Sequence, residues 1–239
     1  MSFKESEAIV LKGMKYNDTS KIMTLYSDDF GKFNALVKGV RGIKSNQCGI
    51  FEDFNHIKVY FNYKSNRDLQ IISKSECINS YQNIKTSLLK LEYAYKILEI
   101  LNKLNYDFDS NRNLFNLTVK SLTFINENLF DSIIVYLFFL LNFIELSGIS
   151  IKSKLNNTES LYLRETFKEN FSLNDNNDSY KSEILNIFKS GINNIENYVI
   201  EISDAKRIQF YLDSYLNDNF DIKNIFGSAL IFKKINEVI

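Results

Sequence analysis

The hydrophobic period of this chain changes once, near residue 81, and that change constrains the fold more than any other feature. Before it, apolar residues fall in short runs separated by turns; after it, they recur every three or four residues. Five candidate strands precede the change: "EAIVLKGMKY", "SKIMTLYS", "KFNALVKG", "FNHIKVYFNY" and "DLQIISKSECIN". The fourth alternates most cleanly, with Ile57, Val59 and Phe61 on one face and His56, Lys58 and Tyr60 on the other. Gly31, in "DDFGK", marks a tight connection between the second and third strands. Five short strands without room for intervening helices predict a small Greek-key barrel of the OB-fold type.

Helical stripes follow. Ile84, Leu88, Leu91, Tyr95, Leu98 and Leu101 form one, and Leu114, Leu117, Leu122 and Ile125 a second. The run "SIIVYLFFLLNFI" at 132–144 is apolar around its whole circumference and shorter than the roughly 20 residues of a membrane span, so it predicts a central core helix. Ile184, Ile187, Phe188, Gly191 and Ile195 mark another helix. A last one runs through Ile208, Tyr211, Leu212 and Tyr215, with Ser203 or Asp204 as its cap. Residues 150–178 lose the period and predict a loop or small hairpin. The fold class is therefore α+β and multidomain: a five-stranded OB-fold barrel over 1–80, then an all-α helical domain over 81–239.

Little in the sequence supports bond-making chemistry. The single histidine, His56, has no Ser or Cys partner and reads as a half-exposed sheet residue, and no Gly-rich phosphate loop is present. Cys48 and Cys77 stand far apart, with neither redox nor zinc spacing, and read as semi-buried thiols in a reducing cytoplasm. Asp28–Asp29 belongs to a turn, and the neighbours Glu52–Asp53 point to opposite faces of a strand, so no metal site, cofactor or catalytic residue is assigned. "MSFKESEAIVLK" lacks the basic and apolar segments of a secretory signal.

Charge is more informative by place than by sum. The chain has 29 basic and 29 acidic residues, yet the stretch 30–51 holds Lys32, Lys38, Arg41 and Lys44 with no acid. Gly39 and Gly42 lie between the last three cations and supply backbone that can approach a phosphate closely. Phe51, Phe54, Tyr60, Phe61 and Tyr63 follow, interleaved with Lys58, Lys64 and Arg67. On an OB-like barrel such a mixture suits a single nucleic-acid strand, held by charge and base stacking. A solvated basic loop with aromatics facing the core is the alternative that composition leaves open.

The order of these segments resembles the N-terminal domain of the RecO family of bacterial recombination mediators and DNA-repair proteins. The stretches that carry the resemblance are "AIVL", "MKYNDTS", "KIMTLYSDDFG" and "KFNALVKGVRGIKS", then "GIFEDFNHIKVYFNYKSNRDLQIISKSE". More weakly, "LLKLEYAYKILEILNKL" is similar to the first helix of the family's helical domain, "LLNFIELSGI" to the helix end before its zinc-binding insertion, and "YLNDNFDIKNIFGSALI" to its short closing segment. Many RecO proteins bind zinc through four cysteines at the position of 150–178. This chain has no cysteine after Cys77, so that module is expected here without metal.

The resemblance implies a non-enzymatic, cytoplasmic, nucleoid-associated protein without membrane attachment. Such a protein binds single- and double-stranded DNA, anneals complementary strands, and with RecR helps load RecA on strands coated by single-stranded DNA-binding protein. The acidic C-terminal tail of that coating protein is received by the helical domain. Lys38, Arg41 and Lys44 match the family's basic segment as DNA contacts; Lys32, Lys58 and Lys64 are added from charge and sheet position. Two other readings differ in class: an interaction scaffold with a solvated basic loop, and a metal-dependent nuclease using scattered carboxylates.

Overall fold

A computed structural model describes residues 2–41, 49–149, 195, 199–220 and 225–236. Five strands form as the alternation predicts: β1 (Ser2–Lys15), β2 (Lys21–Ser27), β3 (Gly31–Val37), β4 (His56–Tyr63) and β5 (Leu69–Asn79). They close in the order β1-β2-β3-β5-β4. β1 closes the ring because it is long enough to serve two neighbours. Its first half pairs with β4, from Ser2↔Tyr63 to Ile9↔His56, and its second half with β2, from Ala8↔Ser27 to Lys15↔Lys21. A bulge between Val10 and Lys12 bends it from one partner towards the other. β3 and β5 pair in parallel, Asn34↔Leu69 to Val37↔Ile72, as a five-stranded OB-fold requires.

The inward residues fill the barrel. Val10, Met23, Leu25, Phe33, Val37, Phe51, Ile57, Val59 and Phe61 belong to one buried cluster, each large side chain contributing roughly 1.5–3 kcal/mol by leaving water. Val40 also plugs this cluster, with none of its surface exposed. At the β2–β3 turn, Gly31 has φ 62°, and a Cβ there would lie 2.1 Å from the Asp109 carbonyl oxygen. Only glycine fits both the turn and this close approach.

A 3₁₀ turn (Gln82–Thr86) leads into α1 (Leu88–Leu104), followed by α2 (Arg112–Glu127). The first helix therefore begins later than its stripe suggests, since Ile84 belongs to the turn and Leu88 is exposed. Its buried set also differs: Tyr93, Ala94, Ile97, Leu98, Ile100 and Leu101 surround much of its circumference. In α2 the predicted Leu114, Leu117, Leu122 and Ile125 are all buried. Asn111 accepts from the Leu114 amide at its start, and Asn128, at φ 58°, ends it in the left-handed conformation.

In α3 (Ser132–Leu146) every residue is buried except Asn142, Glu145 and Leu146, as the apolar run predicts. α4 (Ile202–Asn219) buries Ile208, Tyr211, Leu212 and Tyr215, but its N-cap is Glu201. Ser203 and Asp204 lie inside its first turn, where an acidic residue complements the exposed amides. α5 (Ala229–Asn236) closes the described chain.

Packing forms two compact units, one of residues 1–129 with 225–239 and one of 130–224. Within the first, Lys103 Nζ donates to the Ile225 carbonyl at 2.5 Å, and Ser228 donates its hydroxyl to Glu99 at 2.8 Å, so the C-terminal segment returns to α1. Within the second, the Tyr136 hydroxyl donates to Asp213 at 2.6 Å between α3 and α4. Among the described residues no helix is long and apolar enough to cross a membrane. The expectations for 150–178 and for the helix through Ile184 lie outside the described residues.

Candidate nucleic-acid interface

β1 and β2 continue past the barrel core as a hairpin. Residues 12–19 are all exposed, and strand pairing persists to Lys15↔Lys21. The tip is ordered by an Asx turn, in which the Asn17 side chain accepts from the Ser20 amide at 2.7 Å and the Thr19 amide at 3.2 Å. The basic segment leaves β3 beside this tip. Lys38 is exposed, and Gly39, at φ 71°, has no atom within 4 Å of the place a Cβ would occupy. Val40 then anchors the segment in the core.

Arg41 joins the two loops. Its backbone amide donates to the Thr19 carbonyl at 3.0 Å, and Nη1 donates to the Asn17 carbonyl at 2.6 Å. A carbonyl does not neutralise the guanidinium, so Arg41 keeps its full charge while fixing the hairpin. Lys44 lies outside the described residues.

The other sequence-proposed cations differ from Lys38 and Arg41. Lys32 is mostly buried, donating to the Asn102 carbonyl at 2.8 Å and pairing with Asp107 at 3.3 Å, so its ammonium holds the chain after α1 against β3. Lys58 pairs with Glu5 at 3.2 Å, a bond that holds it above the ordinary lysine value. Lys64 lies on the β4–β5 turn, whose backbone is pinned by Gln70: the Lys64 amide donates to Gln70 Oε1 at 3.1 Å. Other cations are likewise matched, Lys74 with Glu76, Lys85 with Glu52 and Arg112 with Asp28.

Among the described residues, no carboxylate lies within ion-pair distance of Lys12, Lys15 or Lys38. The cations at this hairpin are thus available to a phosphate backbone, with Asp18 the acid at its tip; among the described residues Lys4, Lys64 and Arg67 of the barrel also have no carboxylate partner. Sequence reasoning misses Lys12 and Lys15. Strand alternation accounts for them as exposed strand positions, and only the sheet register shows Lys15 opposite Lys21, whose other partner, Val37, directly precedes Lys38.

The aromatic expectation needs correction. Phe51, Phe54 and Phe61 are buried, and Tyr63 is half-buried with its ring 5.3 Å from Phe30. Phe51 and Phe61 belong to the barrel core, and Phe54 is covered by Tyr95 of α1, whose ring it meets edge to face at 4.7 Å. Tyr60 does face outward, stacked with Phe3 at 6.2 Å, with Lys58 and Lys74 over its ring. Those two cations are paired with Glu5 and Glu76, however, so that face has little net positive field.

His56 is a second correction. It is 7% exposed, because Phe115 of α2 meets its ring edge to face at 5.8 Å, and Nε2 lies 2.9 Å from Glu7 Oε2. Burial holds its pKa below the ordinary 6.5, and Glu7 only partly opposes this. Cys77 is exposed rather than semi-buried, while Cys48 lies outside the described residues.

A cavity of about 320 Å³ within the first unit is lined by Lys21, Phe51, Asp53, Phe54, Lys85 and Tyr95, among others. Tyr95 donates to Asp53 at 3.1 Å; burial raises the Asp53 carboxyl and pushes Tyr95 up to about 12. Among the described residues no group of three His, Cys, Asp or Glu is placed to hold a metal ion. The four-cysteine zinc set does not fit this chain, which has no cysteine after Cys77.

Comparison with known proteins agrees with the barrel. Residues 1–81 match the family model described as recombination protein O N terminal. A DNA repair protein RecO from Chlorobium phaeobacteroides is 34% identical over 118 residues, covering 49% of this chain and 45% of that protein. RecO from Chlorobium limicola is 30% identical over 146 residues, covering 60% and 55%. RecO from Salinibacter ruber is 29% identical over 125 residues, covering 52% and 48%. The chain spans about half the length of the curated relatives it matches.

Proposed function

We propose that this chain, which belongs to the RecO family through its N-terminal domain, acts in DNA repair as a recombination mediator rather than as an enzyme. It binds single- and double-stranded DNA, brings complementary strands together, and with RecR helps load RecA on strands coated by single-stranded DNA-binding protein. In this reading the barrel over 1–80 is the DNA-binding domain. The helical part over 81–239 receives protein partners, among them the C-terminal tail of the coating protein, and the protein works in the cytoplasm on the nucleoid.

The observation that carries the reading is the basic segment of Lys38 and Arg41 leaving β3 against the exposed β1–β2 hairpin, tied there by Arg41, on a barrel that matches the RecO N-terminal model. Cations there that bind phosphates on two strands lower their mutual repulsion, so complementary bases can meet without any bond being broken. Lys38 and Arg41 are the leading contacts, with Lys44 on the same segment. Lys64 contributes at a distance; Lys32 and Lys58 act through the ion pairs that hold the fold.

Combined substitution Lys38→Ala, Arg41→Ala and Lys44→Ala is expected to weaken DNA binding and to reduce its salt slope by about 0.7–0.9 for each phosphate that is no longer neutralised. Fluorescence anisotropy across a salt titration measures both quantities. An unchanged affinity and slope in a folded triple variant would remove this segment from the interface. Labelled DNA incubated with magnesium or manganese separates mediation from nuclease activity, since only a nuclease shortens the strand.

A further inference from the structure

We infer that Tyr16, at the tip of the β1–β2 hairpin, is a stacking residue for an unpaired base, and that Arg41 is the positioning residue that holds it beside the basic segment. This inference rests on the DNA-binding reading above and adds to it a site for single-stranded nucleic acid.

Tyr16 is 58% exposed, and among the described residues no other ring packs on it. An exposed aromatic on an untethered loop would carry little weight, but this tip is held. The Tyr16 amide donates to the Ser20 carbonyl at 3.1 Å, and the Asx turn of Asn17 fixes the next residues. Arg41 grips the same turn through the carbonyls of Asn17 and Thr19. The ring is therefore presented by an ordered backbone, directly after the unpaired Lys15 and tied to the segment that carries Lys38.

The chemistry selects the ligand. A base offers a π-face to a side chain only when it has left its own stack, whereas the phosphates of a duplex are as available to lysines as those of a single strand. Lysines alone thus bind both forms, and an aromatic ring among them favours the single strand. Open backbone at Gly39 lets that strand lie close between hairpin and basic segment.

The test uses the whole chain with a fluorescein-labelled oligothymidylate and a labelled duplex. Tyr16→Ala is expected to weaken single-strand binding by about 5- to 150-fold, the range of one base stack, and to leave the salt slope and duplex affinity unchanged. Tyr16→Phe should restore binding, because stacking needs the ring and not the hydroxyl. Arg41→Lys, which keeps the charge and the backbone bond to Thr19 but removes the Nη1 bond to Asn17, should reduce single-strand preference with little change in salt slope. Equal weakening on both DNA forms, no weakening in Tyr16→Ala, or failure of Tyr16→Phe to rescue overturns the inference. Lys38→Ala distinguishes the underlying reading: if it changes the salt slope while Tyr16→Ala does nothing, the interface stands and the stacking role falls. If neither variant changes any DNA affinity, both fall.

Discussion

His56 illustrates how a residue's role follows from what covers it. Alternation along β4 places it opposite Ile57, Val59 and Phe61, and on an uncovered sheet that face would meet water. Phe115 of α2 covers it instead. The unfolded chain takes up a proton on this histidine around its ordinary 6.5, whereas the folded chain takes it up only at lower pH. Between those two values the unfolded state binds more protons, so this contribution to stability is complete above about pH 6.5 and is lost as pH falls below it. Because His56 is the only histidine, its NMR titration should show one imidazole with a midpoint below 6.5. A midpoint at or above that value would contradict the burial account. Lys32 behaves in the same way: charge and strand position make it a DNA candidate, but Asn102 and Asp107, about seventy residues later in the chain, occupy its ammonium.

At the scale of elements, the strands were legible because a two-residue period leaves little choice of inward face. Met23, Leu25, Phe33 and Val37 reach the core as that period requires. Glycines in the turns were less legible. Gly31 and Gly39 both have positive φ, at 62° and 71°, yet a Cβ would meet the Asp109 backbone at the first and nothing within 4 Å at the second. Gly39→Ala is therefore expected to cost only the left-handed strain, about 1–2 kcal/mol. Gly31→Ala should cost clearly more, because the backbone after α1 must also move. Urea unfolding of both variants measures the difference, and equal destabilisation would show that the approach of Asp109 is not a constraint. The helix starts were harder to read, since Ile84 continues the stripe of α1 while its backbone forms a separate 3₁₀ turn.

For the whole molecule, the C-terminal segment returns to the unit that holds the barrel. Ile225, Phe226 and Phe232 are buried there, and Lys103 and Ser228 bond across to it. Ending the chain at residue 224 is expected to lower its unfolding free energy by at least about 4 kcal/mol, from the removal of three buried side chains at roughly 1.5–3 kcal/mol each. A urea midpoint unchanged by the truncation would mean that the barrel unit does not use this segment. The amino-acid sequence by itself determined the barrel-then-helix order, the inward faces and the place of the basic run, because periodicity and local charge need no knowledge of distant neighbours. Only the tertiary structure decided which cations remain unneutralised. Lys32 and Lys58 find carboxylates through chain return and sheet pairing, whereas Lys12, Lys15 and Lys38 do not among the described residues. It likewise decided which aromatics meet water, since an inward strand position hides Phe61 and a hairpin tip beyond the core exposes Tyr16.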